Sequence, residues 1–146
     1  MSAIRTILLA EDSAADAEMA ADALREAHLA NPIVHVEDGV EVMDYLLHRG
    51  AFADRAEGLP AVLLLDIKMP RMDGLEVLQQ IRSHEKLKTL PVVILSSSRE
   101  ESDLARSWDL GVNAYVVKPV DVDQFFQAVK LLGTFWAVIN EAPSKD

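Results

Sequence analysis

The run Ala61-Val-Leu-Leu-Leu-Asp66-Ile-Lys-Met-Pro70 decides how this chain folds. Its consecutive apolar residues are too few for an ordinary helix, and behind Pro60 they read as a strand buried on both faces. The run ends in a carboxylate, Asp66, and Pro70 blocks a simple continuation. In an open α/β sheet, ligands gather outside the carboxyl ends of the strands, so Asp66 stands where a functional acid is expected. Taken alone, an aspartate after a strand is more often a solvated loop residue. Its neighbours along the chain change that reading.

Ile4 to Ala10 is a candidate first strand, ending in Glu11-Asp12. Ser13, with Asp16 three residues on, resembles a helix-starting pair. From Ala14 to about Leu29, Ala17, Ala20, Ala21, Leu24 and Ala27 recur at helical spacing and predict a narrow inward face. Asn31-Pro32 breaks that helix, and Ile33 to Val36 is a brief second strand. Asp38-Gly39 turns into a second helix with Gly39, Val42, Met43, Leu46 and Leu47 inward. Residues 49–60 form a connector longer than is usual between a helix and a strand, a contact loop or plain slack. After Asp66, Asp73-Gly74 opens a third helix with Leu75, Val77, Leu78 and Ile81 inward. Pro91 to Leu95 is a fourth strand running into Ser96-Ser97-Ser98. A fourth helix is expected over 99–110 with Gly111 as its cap. Ala114 to Val117 is a fifth strand ending at Lys118-Pro119, and Asp121 starts a final helix. Regular alternation of strand and helix predicts one parallel sheet with helices on both faces.

Composition narrows the function classes. The chain has 146 residues, enough for one domain with a substantial core, and half of them are apolar. No apolar run approaches the ~20 residues that span a bilayer, and the N-terminus lacks a signal-peptide layout. There is no cysteine, which removes disulfides and thiolate metal sites and makes a cytoplasmic protein the expectation. The formal charge of −10 argues against DNA or an anionic membrane as partner. His35 and His48 have no companion at metal-ligand spacing and read as ordinary polar residues.

In a parallel sheet the strand ends share one edge, so Glu11, Asp12, Asp66, Ser96 and Lys118 converge. Clustered carboxylates repel one another and are costly to ionise without a cation. An all-oxygen set suits a hard ion such as Mg²⁺, which takes few protein ligands and keeps waters for a phosphate. A carboxylate flanked by that ion, a lysine and a hydroxyl can attack phosphorus and form an aspartyl phosphate.

These residues, with Pro70, Asp73-Gly74 and Lys118-Pro119, resemble the receiver domains of two-component response regulators. The resemblance implies a CheY-like, flavodoxin-like (βα)5 doubly wound sheet of strand order 2-1-3-4-5. It further implies that Asp66 is the phosphoacceptor for a sensor histidine kinase. Asp12 and Asp66 would ligate Mg²⁺ directly, Glu11 through water, and Lys68 through its main-chain carbonyl. Ser96 and Tyr115 look like the family's switch pair, Lys118 like the phosphoryl contact, and the bond before Pro119 is expected to be cis. Lys68 departs from the asparagine common in some relatives; its side chain either bends toward the site or points to solvent.

Residues 1–141 are expected to form the receiver domain with an extended last helix, and 142–146 a loose tail. In that helix Phe125, Val129, Leu132, Trp136 and Ile139 recur at heptad-like spacing, with Ala128, Leu131, Phe135 and Val138 as a second stripe. Such breadth exceeds what one sheet face can cover, which points to a homodimer surface through Phe125, Leu132, Phe135, Trp136 and Ile139. Trp108 either joins it or packs inside, and Gly133 weakens the helix by roughly 1 kcal/mol. No catalytic or helix-turn-helix module follows, so either output is expected through an unidentified downstream protein and the helix 4, strand 5 and helix 5 surface, or the protein is an intermediate carrier. The long connector and the Phe135-Trp136 extension, with Asp109 to Tyr115, resemble the stand-alone regulators paired with bacterial phytochrome kinases. A phosphoaspartate hydrolase of the haloacid-dehalogenase type would need an aspartate where Lys68 stands. A dinucleotide enzyme would need a glycine-rich turn where Glu11-Asp12 stands. A docking or dimerisation module that ignores phosphorylation is the remaining alternative.

Overall fold

The computed structural model describes residues 5–26, 31–56, 58–97, 106–118, 121 and 123–124. In chain order these form β1 (Ile7–Ala10), α1 (Ala14–Glu26), β2 (Ile33–Val36), α2 (Gly39–Leu46), β3 (Val62–Leu65), α3 (Gly74–Ser83), β4 (Val92–Ser96) and β5 (Ala114–Val117). A short 3-10 turn, Gly50–Phe52, follows α2. The strands make one parallel sheet in the order β2-β1-β3-β4-β5, the expected doubly wound arrangement.

The strand period of two sorts the core into two layers. Ile7, Leu9, Val62, Leu64, Val93, Leu95, Ala114 and Val116 pack with Ala17, Ala20, Ala23 and Leu24 of α1. Leu8, Ala10, Leu63, Leu65, Val92 and Ile94 face the opposite way, against Val42, Met43 and Leu46 of α2 and Leu75, Leu78 and Ile81 of α3. β1, β3 and β4 are buried throughout, as their unbroken apolar runs require, whereas the edge strand β2 buries only Val36 fully.

Local differences from the sequence expectation have identifiable causes. β1 begins at Ile7; just ahead of it Arg5 donates to the Leu59 and Pro60 carbonyls and Thr6 pairs its hydroxyl with Tyr45 (3.0 Å). The face of α1 includes Ala23, while Ala21 is only half-buried. Tyr45 joins the α2 face and Leu47 is half-buried. The connector is packed rather than slack. Arg55 stacks 4.1 Å over the Tyr45 ring and donates to the Tyr45, Ala56 and Gly58 carbonyls, while Phe52 meets Tyr45 edge-on.

Arg82 closes the far side of the fold. Its guanidinium donates to the carbonyls of Lys88, Leu90, Leu110 and Gly111, joining the end of α3 to the turn that enters β5. That turn caps the helix at 106–109: Gly111, at φ 78°, donates to Trp108, and Val112 donates to Ser107. The expected cis bond at Pro119, the interface residues Phe125, Leu132, Phe135, Trp136 and Ile139, and the 142–146 tail lie outside the described residues. No described helix is long and apolar enough to cross a membrane.

Candidate functional site

The site sits at the carboxyl ends of β1, β3, β4 and β5. Ladder hydrogen bonds run one step past the strands: Asp66 N–H donates to Ala10, Glu11 N–H to Val36, and Lys118 N–H to Ser96. Glu11, Asp66 and Lys118 thereby continue the alternation of Leu9, Leu64 and Val116, on the face that carries α1. The inward polarity of three strands thus turns from apolar to charged at one level of the sheet.

Carboxylate oxygens of Glu11, Asp12 and Asp66 lie within 4.8 Å of one another. Glu11 and Asp66 are buried and Asp12 is exposed, so the cluster opens to solvent on the Asp12 side. Lys118 reaches in with Nζ 2.5 Å from Glu11 Oε1, 3.0 Å from Asp16 Oδ2 and 3.5 Å from Asp66 Oδ2. Burial, followed by the charge of Glu11, pushes the Asp66 carboxyl up to about 7, against the opposing pull of Lys118. Burial acts to lower the Lys118 pKa, but its bonds to Glu11 and Asp16 and the charge of Asp66 outweigh that and hold it above the ordinary lysine value. A buried acid held near neutrality beside other acids is short of positive charge. An all-oxygen donor set of this size therefore fits a hard divalent cation.

Neighbouring loops clamp Asp66. The Gly74 N–H donates to Ile67 O, and a Cβ on Gly74 would run into the Asp66 carbonyl oxygen. Gly39 is pressed in the same way against Met72. Asp38 caps α2 through the Glu41 N–H and also takes a two-pronged bond from Arg71, at 2.8 and 3.1 Å. Burial opposes ionisation of Asp38, yet the bonds from Arg71 and Glu41 hold its pKa below the usual carboxylate value. Arg71 adopts φ 66°, so this pair stitches the β2–α2 and β3–α3 loops together at a strained backbone position.

Ser96 is buried at the end of β4, whereas Ser97 is exposed, so of these two described serines Ser96 is the inner hydroxyl. By strand alternation Ser96 belongs with Val92 and Ile94, and half-buried Tyr115 packs on that same face. The hydroxyl and aromatic ring thus share the sheet face opposite Lys118. Lys68 is exposed, as is Trp108, which is not packed inside. In the sequence Asp16 carries only a helix-start signature; its contact with Lys118 has no local signature.

The match to the response regulator receiver domain covers residues 7–130. The bacteriophytochrome response regulator RtBRR is 53% identical, with TM-score 0.87 over 96% of this chain and 84% of its own. The phosphorylated cyanobacterial phytochrome response regulator RcpA is 40% identical, with TM-score 0.77 over 97% of this chain and all of its own. Response regulator Rcp1 of Synechocystis sp. is 33% identical over 132 residues, 90% of this chain and 88% of its own. A Mn(2+)-bound form of response regulator Rcp1 superposes with TM-score 0.76, is 32% identical, and matches 96% of this chain and 99% of that one. The chain belongs to the response regulator receiver domain family.

Proposed function

We propose that this protein is a phosphorylation switch whose acceptor is Asp66 and whose phosphoryl donor is a histidine kinase of the bacterial phytochrome type. The observation that carries the reading is the meeting of Glu11, Asp12, Asp66 and Lys118 at one strand edge. The phytochrome pairing rests on the likeness to RtBRR and RcpA.

An ionised Asp66 oxygen bonds to phosphorus as the P–N bond of the kinase phosphohistidine breaks, and the leaving imidazole takes a proton from solvent. Asp12 and Asp66 would hold Mg²⁺ directly, Glu11 through water and Lys68 through its carbonyl. The bound cation supplies charge neutralisation at the phosphoryl oxygens. Lys118 supplies a second positive charge close to the acceptor. Ser96 then turns toward the phosphoryl group and Tyr115 follows inward, changing the surface of the fourth helix, β5 and the last helix. That surface, with Trp108 and the residues from Phe125 to Ile139, is proposed to mediate homodimerisation and contact with a downstream protein. The protein turns over no small substrate.

Intact-mass measurement after incubation with acetyl phosphate tests this. One phosphoryl adduct is expected on the wild type with Mg²⁺, and none without Mg²⁺ or on Asp66→Asn. A wild type that takes no adduct with any divalent cation would leave a docking module of receiver shape.

A further inference from the structure

Among the described residues, Asp16 is the carboxylate near Asp66 that strand order does not account for. It lies in the first turn of α1, and its N–H donates to Ser13 Oγ at 3.2 Å. In a reciprocal helix start, the side chain three residues in turns back to a main-chain N–H at the cap. Asp73 and Glu76 do this in α3, and Asp121 and Gln124 make the same exchange. In α2 the Glu41 carboxylate also turns back, to the Glu37 N–H at 2.7 Å. At α1 the Ser13 N–H is already taken by Glu11 Oε2 at 3.0 Å. The Asp16 carboxylate is thereby released from capping and faces Lys118 at 3.0 Å.

The three acids around Lys118 differ in one respect. Glu11 and Asp66 belong to the cluster that can hold a metal ion, and Asp16 does not. A cation entering the cluster competes with the Lys118 ammonium for Glu11 and Asp66. Among the described residues, Asp16 is the acid partner that this competition leaves untouched.

We propose that Asp16 is a positioning residue that keeps the Lys118 ammonium beside the acceptor when a divalent cation takes over Glu11 and Asp66. This rests on the cation site of the proposed function and adds a reason why lysine and metal can occupy it together. The Asp16 side chain is 39% exposed, so its hold is moderate and leaves Lys118 able to turn to an arriving phosphoryl group. Without Asp16, the acid partners left to the lysine among the described residues are the cation's own ligands, and it opposes cation entry more strongly.

The test is calorimetric titration of the intact chain with MgCl₂ at about 0.15 M salt, where exposed charges beyond ~8 Å are screened. It compares wild type, Asp16→Asn, Asp16→Glu, Lys118→Met and the Asp16→Asn/Lys118→Met pair, each checked for folding by thermal melting. Asp16→Asn is expected to weaken Mg²⁺ binding by roughly two- to five-fold, the range of a partly exposed ion pair. Asp16→Glu should recover most of it. In the Lys118→Met background the same change removes only a nearby charge and a first-turn acid, and its effect should shrink to under about 1.5-fold, since the coupled partner is gone. Equal losses in the two backgrounds overturn the proposal and leave Asp16 as a helix-start residue. Mg²⁺ binding with this coupling but no phosphoryl adduct overturns the proposed function alone, and a wild type that binds no Mg²⁺ overturns both.

Discussion

Lys118 Nζ stands 3.5 Å from Asp66 Oδ2 and a full ångström closer to Glu11, so Asp66 shares this ammonium with a nearer carboxylate. Asp66 consequently stays near neutrality, pushed up to about 7 by burial and then by Glu11. A carboxyl raised in the folded state stabilises the fold fully below its ordinary value near 4, and that contribution drains away as pH rises through about 7. The Asp38 carboxyl is lowered and titrates below this window, and Lys118 is raised and titrates above it.

Cation-free wild type should therefore lose stability relative to Asp66→Asn between pH 5 and pH 8. A difference on the order of 1 kcal/mol corresponds to roughly 2–4 °C in Tm for a domain of about this size. Added Mg²⁺ should raise the wild-type Tm more at pH 8 than at pH 6, because the cation displaces the Asp66 proton. Parallel pH curves for the two proteins would rule out the buried-acid account.

Gly74→Ala tests how closely α3 is pressed on the Asp66 backbone. The added methyl would overlap the Asp66 carbonyl oxygen and sit 2.9 Å from Ile67 Cα, with backbone rather than a flexible side chain having to yield. The expected cost is about 1–3 kcal/mol in urea unfolding, as for overpacking elsewhere. Slower adduct formation from acetyl phosphate should accompany it, since the loop carrying Asp66 shifts. Unchanged stability and rate would mean that the contact is looser than its geometry indicates.

Arg82→Met tests the fastener on the far side of the fold. The half-buried guanidinium satisfies carbonyls from Lys88, Leu90, Leu110 and Gly111, and methionine leaves all of them without it. A loss of about 2–3 kcal/mol is expected, together with faster amide exchange at 110–113. Arg82→Lys should recover little of it, because an ammonium does not reproduce the planar fork. A Lys variant as stable as wild type would contradict this role.

The amino-acid order alone was enough to locate the buried strands. Ala61 to Leu65 and Pro91 to Leu95 are unbroken apolar runs, too short for an ordinary helix and set behind prolines, as suits a strand covered on both faces. The residues closing each strand were legible for the same reason: a polar side chain directly after a buried run marks the sheet edge where ligands gather. The starts of α2 and α3 were also visible, because Asp38 and Asp73 bond within their own first turns.

Tertiary structure decided the contacts that have no local period. Ala21 and Ala23 are the same residue two positions apart, so composition could not say which faces the sheet; helix orientation did. Asp16 reads as a capping residue until α1 is packed beside β5, 102 positions away, and its carboxylate meets Lys118. Arg82 and Arg71 look like solvated charges in a list of residues, yet each bonds to groups set by the course of a distant loop. Burial is written residue by residue in hydrophobicity, whereas the partner of a long polar side chain depends on strand order, register and the path of the loops between them.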